Sequence, residues 1–399
     1  MDINIIVIIG TIDGPVYYIN RFIDYLVYHG INHLIVDSSN PESYESTEFD
    51  NFLKLPNVVM FTFNNSCLHL RYNNKVNVWK YNNIPVFDYI VDHPRNFYDT
   101  MEKPEEDLFV FSLDRDHVDY IKKWYPFVKE AFFSPNGGTE TNPYIPFKER
   151  KYDVIYMGGC QKKIYDYPVI PFFEDEGKDF YIKTLDLMFH NTMLATEKAI
   201  DMYFKNSTYM ANDEELSYLN KNIAIYLENT VRRKTKLMGM KALDNAGIHV
   251  DIFGGYDFKD DEIVFSDNIR LHDRIPRVEL MPLIGQAKIS LCFMPWFKRG
   301  CSEKNLDSML NGALCVTDRS EYLEENYIDG HNIIYFDLSN PAQMAADIKW
   351  LLDNPVQASK IAEKGRQTAL EHDTWNHRFD YVIQTMKDVL NKRNNYFSL

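Results

Sequence analysis

The sequence has no apolar stretch long enough to cross a bilayer: its longest runs, such as INIIVIIG at 3–10, fall far short of the roughly 20 residues a spanning helix requires. A secretory signal is not expected either, because MDIN carries no basic segment and the apolar run passes straight into patterned sequence. Cysteine is scarce, at 5 in 399 residues, and with no CxxC the spacing excludes the usual zinc and dithiol arrangements. Cys292 and Cys315 fall inside apolar strands, which suits packing residues in a reducing cytosol. Basic residues are outnumbered by acidic ones, 43 to 58, and the net charge of -15 argues against a nucleic-acid backbone as the main partner. Local basic clusters remain suited to a small anion. The Walker lysine loop, HExxH, GxSxG and GxGxxG are all absent, and Gly10 and Gly14 in GTIDG lack the dinucleotide spacing.

What is present is alternation of strand and helix. Uniformly apolar runs at 3–9, 33–37, 58–63, 89–92 and 108–113 alternate with helical patterns, and strands apolar at every position belong to a parallel sheet covered on both faces. The segment SPNGGTETNPYIPFKER, 134–150, has no sustained period and reads as a connection between domains. The alternation then restarts at 153–159, 249–255, 268–272, 287–294, 313–317 and 332–336. Between the first two of these lies a long helical insertion, and an amphipathic helix from Trp375 closes the chain. The expected fold is therefore α/β, with two Rossmann-like doubly wound domains, a length of 399 being ample for both.

Residues 287–318 read as strand, loop, helix and strand. Ser302 suits the helix cap and Glu303 its positive first turn, while Gly312 fits the left-handed residue that ends the helix. Such a helix points its N-terminus beyond the C-terminal strand ends, where open α/β sheets bind ligands, and Lys304 in the first turn makes it an anion site. Asp307 follows on the same face, positioned to accept hydrogen bonds from sugar hydroxyls. Gly158, Gly159, Gly254 and Gly255 end two other strands and allow close backbone approach. Arg232, Arg233, Lys234 and Lys236 read as the opening of the helix that runs to Gly247, offering phosphates a second set of cations; a solvated helix face explains them equally well. In the first half, Asp92 and His93 follow one strand, and Asp114, Arg115, Asp116 and His117 follow another. A carboxylate beside an imidazole at a strand end suits general acid/base work, although helix capping by Asp114 or Asp116 with a packed His117 accounts for the second group.

The stretches VDHP (91–94), DRDHVDYIKKWYP (114–126), KERKYDVIYMGG (148–159), AGIHVDIFGG (246–255), MPWFKRG (294–300), MLNGALCVTDRSEYL (309–323) and HDTWNHR (372–378) occur in an order that resembles two-domain GT-B glycosyltransferases, in particular the bacterial CgeB-like group related to glycosyl transferases group 1. The resemblance implies an acceptor-binding domain at 1–140, with the helix 376–399 packing back on it, and a nucleotide-sugar-binding domain at 151–375 with a helical insertion at about 161–230, the two facing a cleft. It implies a cytoplasmic hexosyltransferase whose co-substrate is a nucleotide-diphosphate sugar, with no metal and no other cofactor. The donor would be bound by Gly158, Gly159, Arg232, Arg233, Gly254, Arg274, Ile275, Ser302, Glu303, Lys304 and Asp307, and the acceptor by Gly10, Thr11, Asp114 and His117. His93 and Asp92 would be the catalytic pair, with Asp318 at the cleft rim. Asp114-Arg115-Asp116 also resembles the Asp-x-Asp of single-domain, metal-dependent sugar transferases, which the two-domain layout disfavours.

Ser302, Glu303 and Lys304 stand where the group commonly has His-Asp-Arg, so the charge is kept but the bidentate fork of an arginine is lost. A catalytically silent binding module is the alternative this departure supports. A nucleotide-sugar epimerase on the same fold is a third reading.

Overall fold

The computed structural model describes residues 2–10, 13–141, 145–163, 167–173, 176–254 and 264–396. It divides into two units, Met1–Gly137 together with Thr374–Leu399, and Gly138–Asp373.

The first unit is built on six parallel strands in the order His33–Asp37, Asn4–Ile9, Val58–Phe63, Val86–Ile90, Leu108–Ser112 and Glu130–Phe133. Val58–Phe63 and Leu108–Ser112 are buried at every position, as strands covered on both faces must be. The strand expected at 89–92 runs instead from Val86 to Ile90. Asp88 interrupts its apolar pattern, and an acid in a run such as VFDYI hides the strand's beginning. Asp88 is fully buried: one carboxylate oxygen accepts the Asn65 N–H at 3.1 Å, and the other has no hydrogen-bond partner among the described residues. Glu130–Phe133, an edge strand that opens on an exposed acid, gave no sequence signal.

The helix Trp375–Tyr396 belongs to this unit and packs on Asp13–Tyr28, with Trp375 against Tyr18 and Phe379 against Phe22, each pair of ring centroids 5.0 Å apart. The Tyr25 hydroxyl donates to Asp380 along the same seam. Edge-on and tilted aromatic pairs of this kind contribute about 1 kcal/mol each beyond the area they bury.

The second unit has six parallel strands in the order Ile269–His272, Val250–Phe253, Tyr152–Met157, Ala287–Cys292, Leu314–Asp318 and Ile334–Phe336. Met157 pairs in register with Phe253, and Cys292 with Thr317, so Gly158, Gly254 and Asp318 emerge along one edge of the sheet.

The insertion is a set of helices, Gly177–His190, Thr196–Lys205 and Asp213–Tyr218, with its own core around Phe180, Tyr203 and Leu219. A π-turn at Leu219–Ile223 joins the last of these to the long helix Ala224–Asn245. Arg232, Arg233, Lys234 and Lys236 therefore lie well inside that helix and do not open it. A run of cations resembles a helix start only when the preceding turns go unrecognised. Among the described residues, no helix is long and apolar enough to cross a membrane.

Candidate functional site

The site in the second unit centres on the helix Glu303–Leu310. Ser302 caps it by accepting the Lys304 N–H at 3.3 Å, and Asn305 reciprocates by accepting the Ser302 N–H at 3.2 Å. The helix is fixed to two strands by buried polar pairs: Asn305 donates to the Thr317 hydroxyl at 3.0 Å, and the Ser308 and Ser290 hydroxyls bond at 2.6 Å. Gly312, at φ +71°, turns the chain into Leu314–Asp318, while the Gly312 and Ala313 N–H groups satisfy the Met309 and Ser308 carbonyls. The N-terminal turn is thus held at the C-terminal edge of the sheet.

Lys304 is half-buried there, its ammonium 3.0 Å from where a Cβ on Gly158 would stand. Gly158 has φ +131°, which a side chain would strain, and its bare α-carbon leaves the space beside the ammonium open. Burial lowers the Lys304 pKa, with Arg232 and Arg277 adding to the effect and Glu303 opposing it. Three cations therefore act on one small region. Glu303 beside them stays charged: burial works against its carboxylate, but Arg277, Lys304 and the Ser302 hydroxyl together hold its pKa below the ordinary value. Arg232 is braced by Glu228 at 3.2 Å and stacks 3.8 Å over the Trp296 ring.

Several expected roles change. Asp307 is 1% exposed and does not face a ligand; it accepts the Thr139 N–H at 2.8 Å and an Arg277 N–H. Burial pushes its pKa up to about 7 despite Arg277. Asp318 is buried as well and accepts the Met294 N–H at 2.6 Å, which places it beneath the loop and not at a rim. Arg233 donates to the Gln161 carbonyl at 2.6 Å, and Lys236 donates to the Gly159 carbonyl at 3.0 Å, so both secure the loop after Tyr152–Met157. Gly254 donates its N–H to the His272 and Asp273 carbonyls. Arg274 is exposed and Ile275 half-buried in the loop before the helix Arg277–Ile284. Arg277 was missed by sequence reasoning; its one signal is a helix start after Pro276 at a strand's C-terminal end.

In the first unit, Asp92 is exposed and accepts from the Asn64 amide at 3.1 Å. His93 caps the short turn Pro94–Phe97: its Nδ1 accepts the Arg95 backbone N–H at 3.1 Å and the Arg95 Nε–H at 2.9 Å. The Arg95 guanidinium also reaches Nε2 at 2.7 Å, so both ring nitrogens face Arg95. Asp114 is 1% exposed and caps the helix Arg115–Trp124 through the Asp116 N–H at 2.7 Å. His117 is 4% exposed and packs against His93, with ring centroids 4.4 Å apart. Neither is open to an acceptor; capping and packing account for both. Gly10 ends its strand against Ser66, and Thr11 lies outside the described residues.

Two six-stranded parallel α/β units of this order define a GT-B fold. A family model described as glycosyl transferase-like matches residues 232–384, a span that includes Arg232, Arg277 and Lys304. Among solved structures, an alpha-glucosyltransferase in complex with UDP-glucose and DNA containing an abasic site aligns with TM-score 0.55 and 13% identity over 97% of this chain and 100% of that chain. Sucrose-phosphate synthase from Thermosynechococcus elongatus aligns with TM-score 0.52 and 9% identity over 98% and 100%. No curated protein sequence matches the chain.

Proposed function

We propose that this chain is a glycosyltransferase that takes a sugar from a nucleotide-diphosphate donor bound to the second unit and passes it to a glycan, protein or other acceptor bound to the first. The observation that carries the reading is the Lys304 ammonium beside the open α-carbon of Gly158, at the start of a capped helix and within the field of Arg232 and Arg277. As the bond between the sugar's anomeric carbon and the diphosphate oxygen breaks, negative charge grows on the leaving group. Preorganised cations and a helix N-terminus stabilise that charge more than the ground state. The acceptor oxygen forms the new bond to the anomeric carbon and loses its proton, for which the exposed carboxylate of Asp92, at the C-terminal end of its strand, is the candidate base. Protein cations carry the neutralisation in this reading, so no metal ion and no cofactor beyond the nucleotide sugar is required. UDP-glucose in the aligned alpha-glucosyltransferase makes a uridine diphosphate sugar the first donor to test.

The test is a titration with UDP and with uridine, read by thermal shift. Lys304→Ala is expected to weaken UDP about tenfold or more while leaving uridine within about twofold, as loss of a charge-assisted contact to phosphate requires. Equal loss of both ligands would overturn the assignment. Glu303 favours a second reading, a silent binding module, because a charged carboxylate beside Lys304 opposes a phosphate. Absence of stabilisation by every nucleoside diphosphate tried on the wild-type chain would select it.

A further inference from the structure

Within the second unit, the helices Gly177–His190 and Ala224–Asn245 and the loops at 295–298 and 338–339 line a cavity of about 160 Å3 that the proposed transfer does not use. Met188, Leu194, Val231 and Leu338 make its wall apolar, and no carboxylate lines it. Two lysines do. Lys298 is 5% exposed and donates to the Thr192 carbonyl, and Lys234 is exposed, with its Nζ 4.1 Å from the centre of the Phe189 ring.

The charges do not cancel. Asp318 lies close enough to Lys298 to offset it, whereas Lys234 has no ion-pair partner among the described residues. The cavity therefore carries an excess of about one positive charge over an apolar floor. A diphosphate is too polar for that wall, and a pure hydrocarbon would leave Lys234 without a counter-charge. The volume sets the size of the occupant, since a cavity of ~150 Å3 accepts a benzene ring.

We propose that this cavity binds a small apolar monocarboxylate, of about the size of benzoate, with its ring or branched chain against Met188, Leu194, Val231 and Leu338 and its carboxylate between Lys234 and Lys298. The site is independent of the donor reading and stands or falls separately from it.

The experiment titrates the full chain with benzoate and with benzyl alcohol, read by thermal shift and by calorimetry. Benzoate is expected to bind saturably and at least about tenfold more tightly than benzyl alcohol, the difference a charge-assisted hydrogen bond supplies. Ser339→Trp, at an exposed loop position on the cavity wall, should abolish benzoate binding, and Lys298→Gln should weaken it about tenfold. Lys234→Gln serves the same purpose if the change at Lys298 unsettles Asp318. Equal affinity for the two probes, unchanged binding in Ser339→Trp, or no saturable binding to the wild-type chain would each overturn the proposal.

Discussion

The ammonium of Lys304 stands 3.0 Å from the position that a Cβ on Gly158 would take. Gly158→Ala puts a methyl group there, on a backbone with φ +131° that alanine rarely adopts. Stability should fall by roughly 1–3 kcal/mol from the strain. UDP affinity should fall more than tenfold, because the methyl group fills the room in which the proposed donor's phosphates would meet Lys304. Calorimetry with UDP and urea denaturation check the two effects separately, and UDP binding at the wild-type level would remove Gly158 from the site.

Arg277 binds Asp307 and, at 3.4 Å, Glu303, so it holds the helix Glu303–Leu310 from the side. Arg277→Met leaves a buried carboxylate without its counter-ion, which should cost about 3 kcal/mol. The double change with Asp307→Asn should recover most of that loss. A double-mutant cycle by chemical denaturation measures the coupling, and strict additivity would contradict the pairing.

Much of this fold is legible in the sequence because strands such as VVMFTF and LFVFS are apolar at every position, a pattern only a doubly covered parallel sheet accommodates. The candidate site was legible in part. Ser302, Lys304, Gly158 and Gly312 follow from cap, charge and turn chemistry, which act over a few residues. Arg277 was missed, and Asp307 and Asp318 were misjudged, because their roles depend on burial and on partners distant along the chain, Thr139 and Met294 among them. Local spacing shows an acid on a helix face but not what covers it.

Asp88 gives the stability a pH signature. Burial pushes its carboxyl from the ordinary 3.8 up to about 7, so the folded chain holds a proton that the unfolded chain releases. Its contribution is therefore fully present below about pH 4, declines as pH rises towards 7, and is lost above it. Asp88→Asn removes the slope, and the variant should gain on the order of 2 kcal/mol relative to wild type between pH 5 and pH 8. Asp307 and Asp318 slope in the same direction in both proteins and cancel in the difference. Urea midpoints at the two pH values supply the measurement.

His93 presents both ring nitrogens to Arg95, Nδ1 at 2.9 Å and Nε2 at 2.7 Å, so its imidazole is engaged within its own turn. His93→Asn keeps a side-chain acceptor for the cap and should retain turnover within about threefold of wild type, whereas His93→Ala should lose about 1 kcal/mol of stability. Abolished turnover in a stable His93→Asn protein would return the imidazole to the chemistry.

The aromatic seam between Asp13–Tyr28 and Trp375–Tyr396 ties the order of synthesis to the order of folding. A ribosome releases the first sheet long before it makes Trp375 and Phe379, so Tyr18 and Phe22, packed on Phe63 and Phe61, keep their other side uncovered through the whole of Gly138–Asp373. The nascent chain thus carries exposed apolar surface until that helix emerges, the condition that makes folding intermediates prone to aggregate.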